Sequence, residues 1–130
     1  MSTVVDAGGS VARDLLEAAR TLLNTKAADT PGLWPRASAL LARQSLEVAL
    51  KTYWTAVAPG TEKASTRAQL LCLERYLSPA VARQGYQSWT ALSRASHHHA
   101  YELPPTRDEL LGWLEGVGAL IDHTERAWRR

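Results

Sequence analysis

Apolar residues recur every three or four positions along most of the chain, and no segment alternates between apolar and polar residues as a half-buried strand does. The first repeat follows Ser10, a residue type that caps helices. Its members with helical spacing are Val11, Leu15, Ala18 and Leu22. The pattern therefore predicts a disordered tail over residues 1–9 and then a first helix that ends near residues 24–27.

A second long repeat opens at Trp34-Pro35, where proline suits the first helical turn, and stops at Pro59-Gly60. A short third helix follows, for which Thr66 and Gln69 predict a capping box. Cys72 is the single cysteine and falls in this leucine-rich stretch. It is therefore predicted to be a small buried side chain without a disulfide partner in the chain.

The last two helices carry their own start signals. Ser78-Pro79 supplies a cap followed by proline at the first position, and Thr106 with Glu109 forms a second capping box. Small residues at positions 85 and 88 of the fourth helix indicate that a partner helix approaches closely. The chain thus predicts an all-α, antiparallel up-and-down helical bundle with four long helices and one short helix.

Composition agrees with one globular domain over residues 10–130. The chain has 130 residues, of which 45% are hydrophobic and 22% are charged, as in ordinary soluble proteins. No apolar run approaches the roughly 20 residues that a membrane span needs, and the first residues do not resemble a signal peptide. We therefore expect a cytoplasmic protein without membrane contact. The net charge of +2 gives no broad basic field for nucleic acid.

Side chains capable of chemistry are concentrated in the segment before the last helix. They are Arg94, His97, His98, His99, Tyr101 and Glu102. Pro104-Pro105 follow and end any preceding helix. This segment is therefore the candidate functional site, and three interpretations of it are open.

A metal site is one interpretation, because neutral imidazoles bind zinc, nickel or copper. Adjacent residues of a helix point about 100° apart, however, so three consecutive histidines cannot converge on one ion while helical. A structural role is the second interpretation. Histidines near a helix C-terminus interact favourably with the helix dipole, and Arg94 could pair with Glu102.

Phosphodiester cleavage is the third interpretation. Cutting RNA without a metal needs a group that takes the 2′-OH proton, a group that protonates the leaving oxygen, and a cation near the phosphate. Histidine and arginine suit these roles near neutral pH. Arg94 and His99 lie about 140° apart on a helix, so they share a site only if the helix unwinds near His98 or a second subunit contributes. A homodimer is therefore expected.

Two short motifs resemble one family. Arg94, His99 and Tyr101 form the pattern R-x4-H-x-Y at the end of the penultimate helix. The run Gln44-Ser45-Leu46-Glu47-Val48-Ala49-Leu50-Lys51 is similar to a Q-A-x-E-x-A-L-K run in the second helix of the same family. On these motifs, residues 34–128 resemble the HEPN domains, in particular the HepT-type toxins.

The resemblance implies a symmetric homodimer with metal-independent endoribonuclease activity, and it implies no cofactor. Arg94 would hold the scissile phosphate, His99 would act as acid or base, and Tyr101 would be the position that a partner nucleotidyltransferase antitoxin modifies with AMP. His97, His98 and Glu102 match no position of the family motif, and we expect them to line the same cleft.

One departure from the family favours an alternative function. Active members often carry a polar residue directly after the motif arginine, whereas this chain has Ala95. The alternative is a non-catalytic HEPN dimer that binds a nucleotide, RNA or a protein partner in a regulatory role.

Overall fold

The computed structural model describes residues 3–25, 33–97 and 103–129. These residues form five α-helices and two 3₁₀ turns, and none of them is in a strand. The helices are α1 (Thr3–Asn24), α2 (Leu33–Val57), α3 (Thr66–Cys72), α4 (Pro79–Ser96) and α5 (Arg107–Trp128), with 3₁₀ turns at Thr61–Lys63 and Leu73–Arg75. The predicted all-α class is confirmed, with four long helices and one short helix in the described part of the chain.

Helix α1 begins earlier than the hydrophobic pattern predicted. It starts at Thr3, so the described part of the predicted tail, residues 3–9, is helical. The prediction placed the start at Ser10 because serine is a favoured N-cap residue, but the helix continues through Gly8-Gly9. Glycine lowers helix stability by only about 1 kcal/mol per residue relative to alanine, whereas proline costs about 3 kcal/mol. A glycine pair can therefore be carried inside a helix.

The cap of α3 is one residue earlier than predicted. Ser65 is the N-cap, and its side chain accepts a hydrogen bond of 3.2 Å from the backbone N–H of Ala68. Gln69 does not close a capping box, because its amide donates to the carbonyl of Ala64 at 2.8 Å. Serine and threonine are both good caps, so two adjacent candidates cannot be ranked from sequence alone.

The other two predicted caps are confirmed. The Ser78 hydroxyl accepts from the backbone N–H of Val81 at 3.2 Å, with Pro79 in the first turn of α4. At α5, the Thr106 hydroxyl accepts from the Glu109 N–H at 3.1 Å, and the Glu109 carboxylate accepts from the Thr106 N–H at 2.9 Å. Both ends therefore satisfy backbone donors that a helix leaves unpaired.

Helix α2 is joined to α1 by two buried serines. Ser38 donates to the carbonyl of Ala19 at 3.0 Å, and Ser45 donates to the carbonyl of Ala12 at 2.6 Å. The partners run in opposite order along the two helices, so α1 and α2 are antiparallel. Each hydroxyl is fully buried and satisfied, which avoids the cost of an unpaired buried polar group.

Helices α4 and α5 approach closely at glycines, as the small residues of α4 predicted. A Cβ at Gly85 would lie 3.3 Å from the Leu120 side chain, and a Cβ at Gly116 would collide with the Ser88 hydroxyl. These pairs also run in opposite order, so α4 and α5 are antiparallel. Helices α1 and α4 each pack against α2 and α5, so they lie on opposite sides of the α2–α5 pair.

The prediction that Cys72 is buried is wrong. Its side chain is exposed, as is that of Leu71, whereas Leu70 and Leu73 are buried. Residues one and two positions apart on a helix point about 100° and 200° apart. A short helix that buries Leu70 and Leu73 therefore turns the two residues between them toward solvent.

We predict that Gly116→Ala destabilises the protein and that Gly112→Ala stabilises it. The new methyl group at position 116 meets Ser88, and overpacking of this kind costs about 1–2 kcal/mol. Position 112 has no neighbour within 4 Å, so alanine there gains about 0.5–1 kcal/mol from helix propensity. Urea unfolding of both variants at one protein concentration measures the difference. Equal stabilisation by the two substitutions would contradict the close approach of α4 and α5.

Candidate functional site

Arg94 lies in the last turn of α4, and its side chain is exposed. Its guanidinium forms no hydrogen bond or ion pair with any other residue that the structure describes. The fork of N–H donors is therefore open toward solvent, in the geometry that suits carboxylate or phosphate oxygens.

The helix ends directly after Arg94. His97 is the C-cap, with extended backbone angles of φ −95° and ψ 128°, and its N–H donates to the Arg94 carbonyl at 3.2 Å. Its side chain is exposed beside the helix end. The departure from helical geometry that would let Arg94 and His99 share a site within one chain thus begins at His97.

The remaining predicted site residues are His98, His99, Tyr101 and Glu102, and they lie outside the described residues. Their distances from Arg94 and their roles stay predictions. Of the six side chains singled out from the sequence, the structure places Arg94 and His97, both exposed at the C-terminal end of α4.

Two arginines of α2 hold this end of α4 in place. Arg36 Nε donates to the Ser96 carbonyl at 3.1 Å, and Arg43 Nη1 donates to the Ser96 hydroxyl at 3.0 Å. That hydroxyl in turn donates to the carbonyl of Ser93 at 3.0 Å. We call Arg36, Arg43 and Ser96 the arginine clamp. It satisfies a carbonyl that the helix end leaves open and sets the position at which the chain leaves α4 at His97.

The clamp continues to α3 through Glu47. The Glu47 carboxylate lies 3.7 Å from Arg43 Nε and accepts a hydrogen bond of 3.2 Å from the Thr66 hydroxyl. Arg43 Nε is buried and has no hydrogen-bond partner among the described residues, so this ion pair is weak. The main restraint on α4 therefore comes from the two hydrogen bonds to Ser96.

Charge also favours this arrangement. The C-terminal end of a helix carries a partial negative charge, and cations placed there stabilise it by about 0.3–1 kcal/mol. Arg36 and Arg43 approach that end from α2, and Arg94 lies in its last turn. The end of α4 thus gathers three guanidinium groups, two of which hold the helix while the third faces solvent.

Ala95, the residue after the motif arginine, faces the interior. It is half-buried and packs against the hydrophobic core, while Ser96 is 7% exposed and lies in the clamp. Successive residues turn by about 100°, so Arg94 and Ser96 lie on nearly opposite sides of α4. The face that is held by α2 and the face that carries Arg94 are therefore separate.

The second motif, in α2, contributes mainly to packing. Leu46, Ala49 and Leu50 are in the core, and Ser45 donates to α1. Glu47 is the one residue of this run that reaches the clamp. The structure thus gives the run a role in holding helices together.

Comparison of the chain with models of protein families, with curated proteins and with solved structures gives no match. Within the described ranges, no group of three or more histidine, cysteine or acidic side chains is placed to hold a metal ion. Each helix in the same ranges is too short or too polar to span a lipid bilayer.

The arginine clamp was not anticipated from the sequence, although a signal for it exists. Arg36 and Arg43 are seven residues apart, a spacing that places two side chains on one face of a helix. Both stand among apolar residues of α2. Arginines repeated at this spacing within an apolar helix indicate a polar contact with a neighbouring element, but they do not indicate which element.

We predict that Ser96→Ala destabilises the protein while Ser93→Ala does not. Ser96→Ala removes the acceptor of the Arg43 hydrogen bond, and the loss of a bond to a charged group costs about 1–2 kcal/mol here. The Ser93 hydroxyl is buried without a partner among the described residues, so its removal is neutral or slightly stabilising. Thermal and urea unfolding measure the stability of the two variants, in which the same substitution is made one helical turn apart. Similar stabilities for the two variants would show that the clamp contributes little.

Proposed function

We propose that this chain is a HEPN-type, metal-independent endoribonuclease that works as a homodimer, with Arg94 and His99 as its catalytic residues. The observation that carries the proposal is the placement of Arg94. Its guanidinium is exposed and open at the end of α4, where two arginines of α2 fix the backbone. A fixed helix end with a free guanidinium suits the binding of a phosphate that must be held in one orientation.

The proposed reaction is an internal transfer at the RNA phosphate. The 2′-oxygen of the ribose attacks phosphorus as a base takes its proton, and the bond from phosphorus to the 5′-oxygen breaks as an acid protonates that oxygen. The products are a 2′,3′-cyclic phosphate and a 5′-hydroxyl. Arg94 stabilises the charge that develops on the non-bridging oxygens, and His99 transfers protons.

A homodimer supplies both proton-transfer groups. One chain offers one His99, whereas the reaction needs both a base and an acid. A two-fold axis that brings the two α4 ends together provides two copies of Arg94 and of His99 in one cleft. His97, His98 and Glu102 line this cleft in the proposal.

Tyr101 gives the proposed nuclease a means of control. If the chain is a toxin of this type, a nucleotidyltransferase antitoxin transfers AMP from ATP to the Tyr101 hydroxyl, releases pyrophosphate, and so blocks the cleft. The protein is then the toxin of a cytoplasmic toxin–antitoxin pair.

A second candidate function is supported by Ala95. This residue packs against the core, so no polar group follows Arg94 at that position. A HEPN dimer without catalysis would use the same cleft to bind a nucleotide, RNA or a protein partner.

We predict that the metal-free protein in EDTA cleaves RNA and leaves 2′,3′-cyclic phosphates. His99→Ala is expected to lower the cleavage rate by about 10²- to 10⁴-fold, the usual contribution of a general acid or base. Arg94→Ala is expected to lower it by a comparable factor, since it removes the cation at the phosphate. Cleavage of mixed tRNA and mRNA, with mapping of the product ends, measures both.

The matched control is His123→Ala. His123 lies in α5, with Nδ1 2.7 Å from the carbonyl of Ala119, and the proposal gives it no role. Its removal should leave cleavage unchanged. An absence of cleavage by the wild-type protein, with RNA or nucleotide binding retained, would favour the non-catalytic alternative.

We also predict that His99→Ala chains suppress wild-type chains in mixed dimers. If one site needs His99 from both subunits, an equal mixture after subunit exchange retains about a quarter of the activity, because only wild-type dimers are active. If each subunit carried a complete site of its own, the same mixture would retain about half of the wild-type activity. Light scattering should give the mass of a dimer at micromolar concentration, and a monomer would exclude the shared site.

A further inference from the structure

The outward face of α4 carries a row of polar side chains that leads to Arg94. Arg83, Gln87, Thr90 and Arg94 are four, three and four residues apart, which places them on one face of the helix. All four are exposed. We call these four residues the α4 polar row. His97, also exposed, follows at the end of the helix.

The α4 polar row is positive and has no opposing charge on its own helix. Helix α4, Pro79–Ser96, contains two arginines and no acidic residue. Neither Arg83 nor Arg94 forms a side-chain hydrogen bond or ion pair with another described residue. Arg13 of α1 differs from them, because it pairs with Asp122 and Glu125. The two guanidinium groups of the row are thus available to an external anion.

We propose that the α4 polar row binds the sugar-phosphate backbone of single-stranded RNA and leads the strand to Arg94. This inference rests on the proposed function, and it adds Arg83 as an RNA-binding residue outside the catalytic motif. Arg83 and Arg94 are separated by about 16 Å along the helix, the length of roughly five phosphates at the 3.4 Å rise of a stacked strand. Gln87 and Thr90 between them can hydrogen-bond to phosphate or ribose oxygens.

A nucleic-acid strand fits this surface better than a protein does. The row has no large apolar side chain, so it lacks the anchors that dominate protein interfaces. Direct contact between the rows of two subunits would bring arginine against arginine without an acid. A negatively charged strand between the two rows removes that repulsion, which agrees with a cleft shared by two subunits.

The bundle provides a matched control on the opposite side. Arg20 lies in α1, across the α2–α5 pair from α4, and its Nη1 is 2.8 Å from the Glu17 carboxylate. Its side chain is 39% exposed, so the loss of this surface pair has little effect on stability. Arg20→Gln therefore changes the net charge by the same amount as Arg83→Gln but leaves the α4 polar row intact.

The test uses a probe that cannot be cleaved. A fluorescein-labelled 12-nucleotide RNA of mixed sequence, with 2′-O-methyl groups throughout, lacks the 2′-hydroxyl that the proposed reaction needs. Fluorescence anisotropy in EDTA then measures binding at several salt concentrations for the wild type and for Arg83→Gln, Arg83→Lys and Arg20→Gln. Circular dichroism verifies that each variant is folded.

Arg83→Gln is expected to weaken binding by about fivefold at low salt and to lower the slope of log K against log salt by about 0.7, the value for one phosphate contact on a single strand. Arg83→Lys should retain most of the affinity because the charge is kept. Arg20→Gln should match the wild type.

Three results would overturn the proposal. The first is that Arg83→Gln binds the RNA as tightly as the wild type does, and the second is that Arg20→Gln loses as much affinity as Arg83→Gln. The third is that the wild type binds a labelled polyglutamate peptide of the same length as tightly as it binds the RNA. The last result would assign the row to an acidic protein partner.

The proposed function is tested separately by cleavage of natural RNA. Arg83-dependent binding without cleavage would support the row and count against the nuclease. Cleavage of natural RNA together with binding that does not depend on Arg83 would support the nuclease and count against the α4 polar row.

Discussion

The arrangement of the helices depends on two polar pairs that lie on opposite sides of α2. Ser38 and Ser45 donate to carbonyls of α1, whereas Arg36 and Arg43 donate to Ser96 at the end of α4. Each pair is spaced by seven residues, and the two pairs are offset by two residues, or about 200° around the helix. Both sets of bonds form only when α1 and α4 lie on opposite sides of α2. These hydrogen bonds therefore specify which sides of α2 contact α1 and α4, which apolar packing alone would not specify.

This constraint has a direct consequence for the candidate site. Because Ser96 is held by α2, Arg94 is turned away from the bundle, and the helix ends where its last carbonyl is already bonded. The chain then leaves α4 at His97 in an extended conformation. Arg94 thus gains exposure from the same contact that fixes the backbone beneath it. The proposed phosphate contact rests on this combination of a helix end held by α2 and a guanidinium open to solvent.

Predictions that depend on residues close together in the sequence are confirmed. The Ser78 and Thr106 caps and the all-helical class follow from contacts within a few residues, and the structure contains them. Predictions were wrong where two adjacent residues could both cap a helix, and where tertiary packing determines which side of a helix is buried. The N-cap of α3 is Ser65 and not Thr66. The burial of Cys72 was predicted wrongly because a helix of seven residues is too short for its sequence to show which side is buried.

The sequence by itself determined the helices, most of their ends, and the location of Arg94 and His97 at the end of one helix, since these depend on periodicity, caps and prolines. Only the tertiary structure decided which helix holds that end and which way Arg94 faces. Arg36 and Arg43 are 53 or more residues from Ser96 in the chain, and no local pattern specifies such a contact. It arises because α2 must bury one side against α1, which leaves its arginines to meet α4.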